Sequence, residues 1–117
     1  MTCVGDLGII SIAKRDMIIN QQLHSYQLKD NLNIFYVMYD LSYRKNFMNK
    51  MASTTTVPYM NKSICNSIPI NVPPLELQNQ FADKIKNIEA QKELVKKQAE
   101  ESENLFQALL QESFSFT

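Results

Sequence analysis

The sequence predicts an α+β fold: a small mixed α/β head over residues 1–70, then one long coiled-coil-like helix over residues 71–117. Three observations carry this. The first 28 residues hold short apolar runs with five Ile, separated by turn residues. Residues 31–51 change to helical spacing. After Pro74 no Gly or Pro interrupts the chain, and its apolar residues recur in steps of four and three.

In the head, strands are expected at Thr2–Val4, Gly8–Ile12, Met17–Ile19 and His24–Leu28. Gly5-Asp6-Leu7-Gly8 and Lys14-Arg15-Asp16 supply turns between them. A helix is expected over Asn31–Leu41, with Ile34, Val37, Met38 and Leu41 on one side. Ser42 is positioned to cap a second helix through Met51, with Phe47 and Met51 inward and Arg44, Lys45 and Lys50 outward. Residues 52–68 read as a polar loop containing Ser53-Thr54-Thr55-Thr56-Val57-Pro58-Tyr59, with a short element around Asn61–Cys65. Ile68–Val72 is an extended lead to Pro73.

The long helix is expected from near Pro74 to near Ser113. Proline is tolerated in a first helical turn, where its missing N–H has no intrahelical partner to lose, and Glu76 favours the positive end of the helix dipole. At 1.5 Å per residue it would span about 57 Å. Phe81, Ile85, Ile88, Val95, Ala99, Phe106 and Leu109 fall on one stripe, which Lys92 and Ser102 dilute midway. Glu93 and Lys97 have the spacing and order of an exposed ion pair. Such a stripe requires a partner helix, or a body of its own chain to fold onto; the length favours a spacer or coiled-coil arm.

At 117 residues the chain has room for one domain with a small core, and 44% hydrophobic content argues against wholesale disorder. No apolar run has the length of a membrane span, and the expected location is the cytoplasm. Cys3 and Cys65 lack metal-like spacing and read as buried or idle thiols. Formal charge is zero overall but uneven: residues 1–67 carry seven Lys/Arg against four Asp/Glu, and residues 68–117 carry five against eight. A basic head on an acidic arm suits contact with phosphate, although an excess of three charges is small.

No catalytic constellation is legible, and no cofactor or metal is implied. Gly5-x-x-Gly8 lacks the Lys-Ser/Thr of a phosphate loop and reads as a tight turn. His24, the single histidine, has no carboxylate or cysteine pattern beside it and reads as a satisfied sheet residue. Polar and basic groups do gather in the head, around Lys14-Arg15, Asn20-Gln21-Gln22 with His24 and Tyr26, and the Thr-rich loop near Tyr59 and Lys62. Asn and Gln pair with adenine edges, Arg with guanine, and hydroxyls or Lys with phosphate. The candidates for DNA contact, chosen by polarity and loop position, are Lys14, Arg15, Gln21, Gln22, Thr55 and Lys62. The competing explanation is turns and a solvated face.

Five segments in order resemble the DNA-specificity subunit of type I restriction–modification systems. They are Thr2-Cys3-Val4-Gly5-Asp6-Leu7-Gly8, Ile18-Ile19-Asn20-Gln21-Gln22-Leu23, Thr56-Val57-Pro58-Tyr59-Met60-Asn61-Lys62, the run Ile68-Pro69-Ile70-Asn71-Val72-Pro73-Pro74-Leu75-Glu76-Leu77-Gln78, and Leu105-Phe106-Gln107-Ala108-Leu109-Leu110-Gln111. The Ile-Pro-x-x-x-Pro-Pro-Leu-Glu-x-Gln run is the most specific. The resemblance implies a non-catalytic subunit that binds double-stranded DNA and positions methylation and restriction subunits. It implies two recognition domains, each followed by a long helix, with the helices paired antiparallel as a spacer between half-sites. This chain departs from that pattern in having one long helix, a recognition domain expected to be shortened at its N-terminal side, and Phe114-Ser115-Phe116-Thr117 where the family has Gly-Glu-Leu. The expectation is therefore a half subunit that forms a homodimer through Phe81, Ile85, Ile88, Val95, Phe106 and Leu109. The rival expectation is an assembly or dimerisation remnant that binds partner subunits through its helix with little affinity for DNA.

Overall fold

The structure, a computed structural model, describes residues 1–53 and 56–114. Four helices follow one another: α1 (Ile34–Ser42), α2 (Lys45–Met51), α3 (Lys62–Asn66) and α4 (Leu75–Phe114). The chain divides into two compact units, Met1–Ala82 and the residues from Asp83 onward, so α4 lends its first two turns to the first unit.

The mixed α/β head is not what forms. Among the described residues there is no sheet, only isolated antiparallel bridges: Thr2 with Leu23, and Tyr59 with both Val4 and Ser53. The pairings of Thr2 and Val4 stop after one step for a local reason. Gly5 and Gly8 both adopt positive φ, 77° and 80°, so the chain turns back immediately after Val4. Thr2 spends its backbone on closing that turn, donating N–H to the Ile9 carbonyl (2.9 Å) and accepting from the Gly8 N–H (3.0 Å). Its hydroxyl adds bonds to the Asp6 carbonyl (2.7 Å) and from the Ile9 N–H (2.9 Å). Residues 10–19 make no backbone hydrogen bond to any other described residue, and Met17, Ile18 and Ile19 are exposed. Their β-branched composition has no neighbouring ladder to join, and strand propensity expresses itself only where one exists. From His24 to Leu28 the alternation survives without a ladder: positions 24, 26 and 28 are half-buried, 25 and 27 exposed, and Tyr26 and Leu28 pack on the core.

That core comprises Cys3, Leu7, Val37, Leu41, Met48, Met60, Cys65 and Ile68. Asn33 caps α1, its Oδ1 accepting from the N–H groups of Phe35 (2.9 Å) and Tyr36 (3.1 Å), and Val37 and Leu41 are the buried face. Ser42 does not cap the next helix. It ends α1, its hydroxyl donating to the Tyr39 carbonyl (2.6 Å), and α2 starts after Arg44 with no side-chain cap. The inward residue of α2 is Met48, fully buried, with Phe47 half-buried beside it; Met51 is exposed. Arg44, expected outward, is half-buried and ion-paired with Asp40 one turn earlier (3.3 Å). Asn61 caps α3 through the Ile64 N–H (2.8 Å).

α4 begins where Pro73-Pro74 release the chain, the Pro74 carbonyl accepting from the N–H groups of Leu77 (3.0 Å) and Gln78 (3.2 Å). The helix is assigned without interruption to Phe114. Among the described residues no helix is long and apolar enough to cross a membrane.

Candidate nucleic-acid interface

The segment Thr2–Val4 is the central rod of the candidate site. The Cys3 N–H donates to the Gln22 carbonyl (3.0 Å) and the Cys3 carbonyl accepts from the Met60 N–H (2.9 Å), so one residue is flanked by two loops. The first loop is an Asx turn: Asn20 Oδ1 accepts from the Gln22 N–H (3.0 Å), and the Asn20 carbonyl accepts from the Leu23 N–H (3.2 Å). Its backbone is turned toward Cys3, whose thiol also reaches the Gln21 carbonyl (3.6 Å), while the Gln21 and Gln22 side chains stay exposed. The second loop is held by the Gly5 N–H on the Pro58 carbonyl (2.8 Å) and leads through Tyr59 and Met60 to Lys62, the first residue of α3.

Between these loops lies an open groove of about 810 Å³. Gln21, Gln22, His24, Ser25, Tyr59 and Lys62 supply its polar lining, over an apolar floor that includes Val4 and Leu23. The groove offers two side-chain amides, an imidazole, two hydroxyls and a cation from segments about 40 residues apart, the mixture that base edges and phosphates require. His24 is anchored, its Nε2 lying 3.1 Å from Asn66 Oδ1 and its ring edge-on to Tyr26 with centroids 4.6 Å apart. Behind it the Tyr26 hydroxyl donates to the Cys65 carbonyl. Burial, helped by the neighbouring Cys65 and Cys3 thiols, pushes the Tyr26 phenol well above its usual range. Burial also pushes the Cys65 thiol up, so both groups stay neutral.

Of the sequence-selected DNA candidates, Gln21, Gln22 and Lys62 share this groove. Lys14 and Arg15 are exposed on a separate bend and do not line it, and Thr55 lies outside the described residues. Tyr59 and Ser25 were missed as candidates. Tyr59 had a signal, an aromatic between Pro58 and Lys62 in a polar loop; Ser25 had none. Of the residues expected on the dimer seam, Phe81 stacks edge-on against Tyr36 (5.7 Å) and Tyr39 (6.2 Å) inside the first unit. Ile85 is half-buried. In the second unit Ile88, Val95, Phe106 and Leu109 are exposed, as are Leu94, Leu105 and Leu110. Among the described residues no group of three or more His, Cys, Asp or Glu is placed to hold a metal ion.

Comparison with known proteins adds a family. One curated relative, the type I restriction enzyme MjaVIII specificity subunit of Methanocaldococcus jannaschii, is 28% identical over 75 residues. The matched segment is 64% of this chain but only 18% of that protein. No solved structure matches the chain. The family model described as the type I restriction modification DNA specificity domain matches residues 1–104, nearly the whole length. With four of the five motifs inside that span and in order, the chain belongs to the type I restriction modification DNA specificity domain family.

Proposed function

We propose that this chain is a sequence-specific reader of double-stranded DNA within a type I restriction–modification system, acting in the cytoplasm. It positions methylation and restriction subunits and performs no chemistry itself. Residues 1–70 carry recognition and residues 71–117 serve as spacer and dimerisation helix. The observation that carries the reading is the groove, which gathers Gln21, Gln22 and Lys62 beside Tyr59 in a member of a DNA-specificity family. In this reading Gln21 and Gln22 read base edges, Lys62 holds phosphate, and Lys14, Arg15 and Thr55 add contacts outside the groove.

The partner on the helix is a second copy, antiparallel, joined through Phe81, Ile85, Ile88, Val95, Phe106 and Leu109. Charge along α4 supports that polarity. Residues 83–97 hold five lysines against three carboxylates, whereas residues 98–114 hold four glutamates and no basic residue. An antiparallel pair sets the basic half of each helix beside the acidic half of the other; a parallel pair sets like against like. Two copies so joined present identical half-sites in inverted orientation. The exposed apolar residues of the second unit also favour a second reading, an assembly role without DNA.

Binding to a library of duplexes at several salt concentrations separates the two. Lys14→Ala with Arg15→Ala should weaken binding to every duplex and lower the salt slope by about 2. Gln22→Ala should change the preferred sequence, with about 1–3 kcal/mol of discrimination lost at one position. A wild-type chain with no salt-dependent affinity for any duplex leaves the assembly role.

A further inference from the structure

Gln78 is the one buried polar side chain among the described residues, and it is fully buried. Its amide is used at both ends. Oε1 accepts from the Asn33 N–H (2.9 Å), and Nε2 donates to the carbonyls of Asn31 (3.0 Å) and Pro73 (2.8 Å). Both donors are thus committed, to chain segments more than 40 residues apart. The arrangement admits one orientation only: a flipped amide would set its oxygen against two carbonyls and its NH₂ against an N–H.

The backbone that Gln78 grips is the one that opens α1. Asn33 gives Gln78 its N–H, caps α1 with Oδ1, and sends Nδ2 to Asn79 Oδ1 (2.8 Å). Further contacts continue along the same face of α1. The Tyr36 hydroxyl donates to the Asn71 carbonyl (2.9 Å), Asp40 Oδ2 accepts from the Asn71 N–H (3.2 Å), and the Tyr36 and Tyr39 rings meet Phe81. None of these residues lines the Gln21–Lys62 groove.

We infer that Gln78 is a positioning residue: its buried amide fixes the first two turns of α4 to the cap of α1, and does so independently of the groove that contacts DNA. The functional half of this inference rests on the preceding reading. A spacer measures a distance only if its root does not swing, and the amide supplies that stiffness through directional bonds that an apolar side chain of equal size lacks.

The test uses Gln78→Glu and Gln78→Met in the full chain. In Gln78→Glu the introduced carboxylate faces two carbonyl oxygens with no donor to offer, and protonation restores one donor. Burial among acceptors raises its folded pKa above the unfolded value of about 4.3, so stability is retained below that pH and lost as pH rises through the folded value. The expected result is a thermal midpoint about 10 °C below wild type at pH 8, with the deficit shrinking toward pH 4. Amide exchange at Asn33 should be faster than in wild type in both variants. A Gln78→Met chain with the wild-type midpoint and wild-type exchange at Asn33 overturns the inference, because it shows that filling the space suffices.

A second arm addresses function. A half-site selected by the wild-type chain is duplicated in inverted orientation at graded separations. Gln78→Glu at pH 8 should keep its affinity for the single half-site and lose the preference for one separation; retention of that preference overturns the positioning role. A wild-type chain with no preferred separation overturns the dimeric reading instead, and the pH profile and amide exchange still decide the role of Gln78.

Discussion

Replacing Ile88 and Leu109 together by Asp tests the proposed self-association most directly. These two residues are 45% and 53% exposed, so about half of each side chain remains to be covered by a partner. Full burial of such a side chain contributes about 1.5–3 kcal/mol, and the remaining half about 0.8–1.5 kcal/mol. A two-fold dimer contains both residues twice, so the double variant removes four such contributions, about 3–6 kcal/mol. At 1.4 kcal/mol per tenfold, a micromolar dimer should weaken by about 10²- to 10⁴-fold. Desolvating four carboxylates in the seam adds to the loss. Sedimentation velocity at tens of micromolar should therefore show a wild-type dimer and a monomeric variant of the same helical content. Salt gives the polarity: raising it should loosen an antiparallel pair, in which Lys84, Lys86 and Lys92 oppose the glutamate-rich half, and should tighten a parallel one. A wild-type monomer at those concentrations, or a variant that dimerises within tenfold of wild type, refutes the reasoning.

Two further predictions concern the first unit. Gly8→Ala should cost about 2–4 kcal/mol in urea denaturation, from positive φ together with overpacking. The added Cβ would lie 2.6 Å from Met48 Sδ and 3.3 Å from Lys45 Cγ. Among the described residues Gly5→Ala meets nothing nearer than Val57 Cγ1 at 4.0 Å and should cost only the backbone share; equal losses at the two positions would deny the contact with Met48. Tyr26 is held neutral by burial, so its stabilising share is complete below its ordinary value of 10 and is lost as pH rises above it. Tyr26→Phe should be about 0.5–1.5 kcal/mol less stable at pH 8, having lost the bond to the Cys65 carbonyl, yet fall less steeply between pH 9 and about pH 11 in chemical denaturation.

The parts of this fold that were legible are those whose cause is local. Pro73-Pro74, an uninterrupted helical spacing and the absence of Gly announce α4 without reference to the rest of the chain, and the two glycines announce the turn that their positive φ values make. The strands were misjudged because a strand is a relation between segments. Residues 10–19 have the composition for one, but no described backbone pairs with theirs. Met51 lies between Phe47 and Met48 around the helix and is exposed where they are covered, because it is the last residue of α2 and the chain leaves the core there. Gln21, Gln22 and Lys62 were named for their chemistry, but that they share a groove depends on the contacts of Cys3 with Gln22 and Met60, 19 and 57 positions away in sequence. Gln78 stood in the most specific motif, yet its partners Asn31 and Asn33 gave no sign at that distance.

Under the proposed reading of the groove, the double use of Cys3 bears on how specificity evolves. One residue is shared between the loop bearing Gln22 and the loop leading to Lys62, so a displacement of either loop is passed to the other through the two peptide groups that meet at Cys3. Substitutions on opposite sides of the groove should then fail to add, and a double-mutant cycle between Gln22 and Tyr59 should return a coupling energy of about 0.5–3 kcal/mol. A lineage acquiring a new target would be expected to change both loops together. Changes confined to one loop would carry a penalty from the other, so recognition would shift in steps that involve both walls.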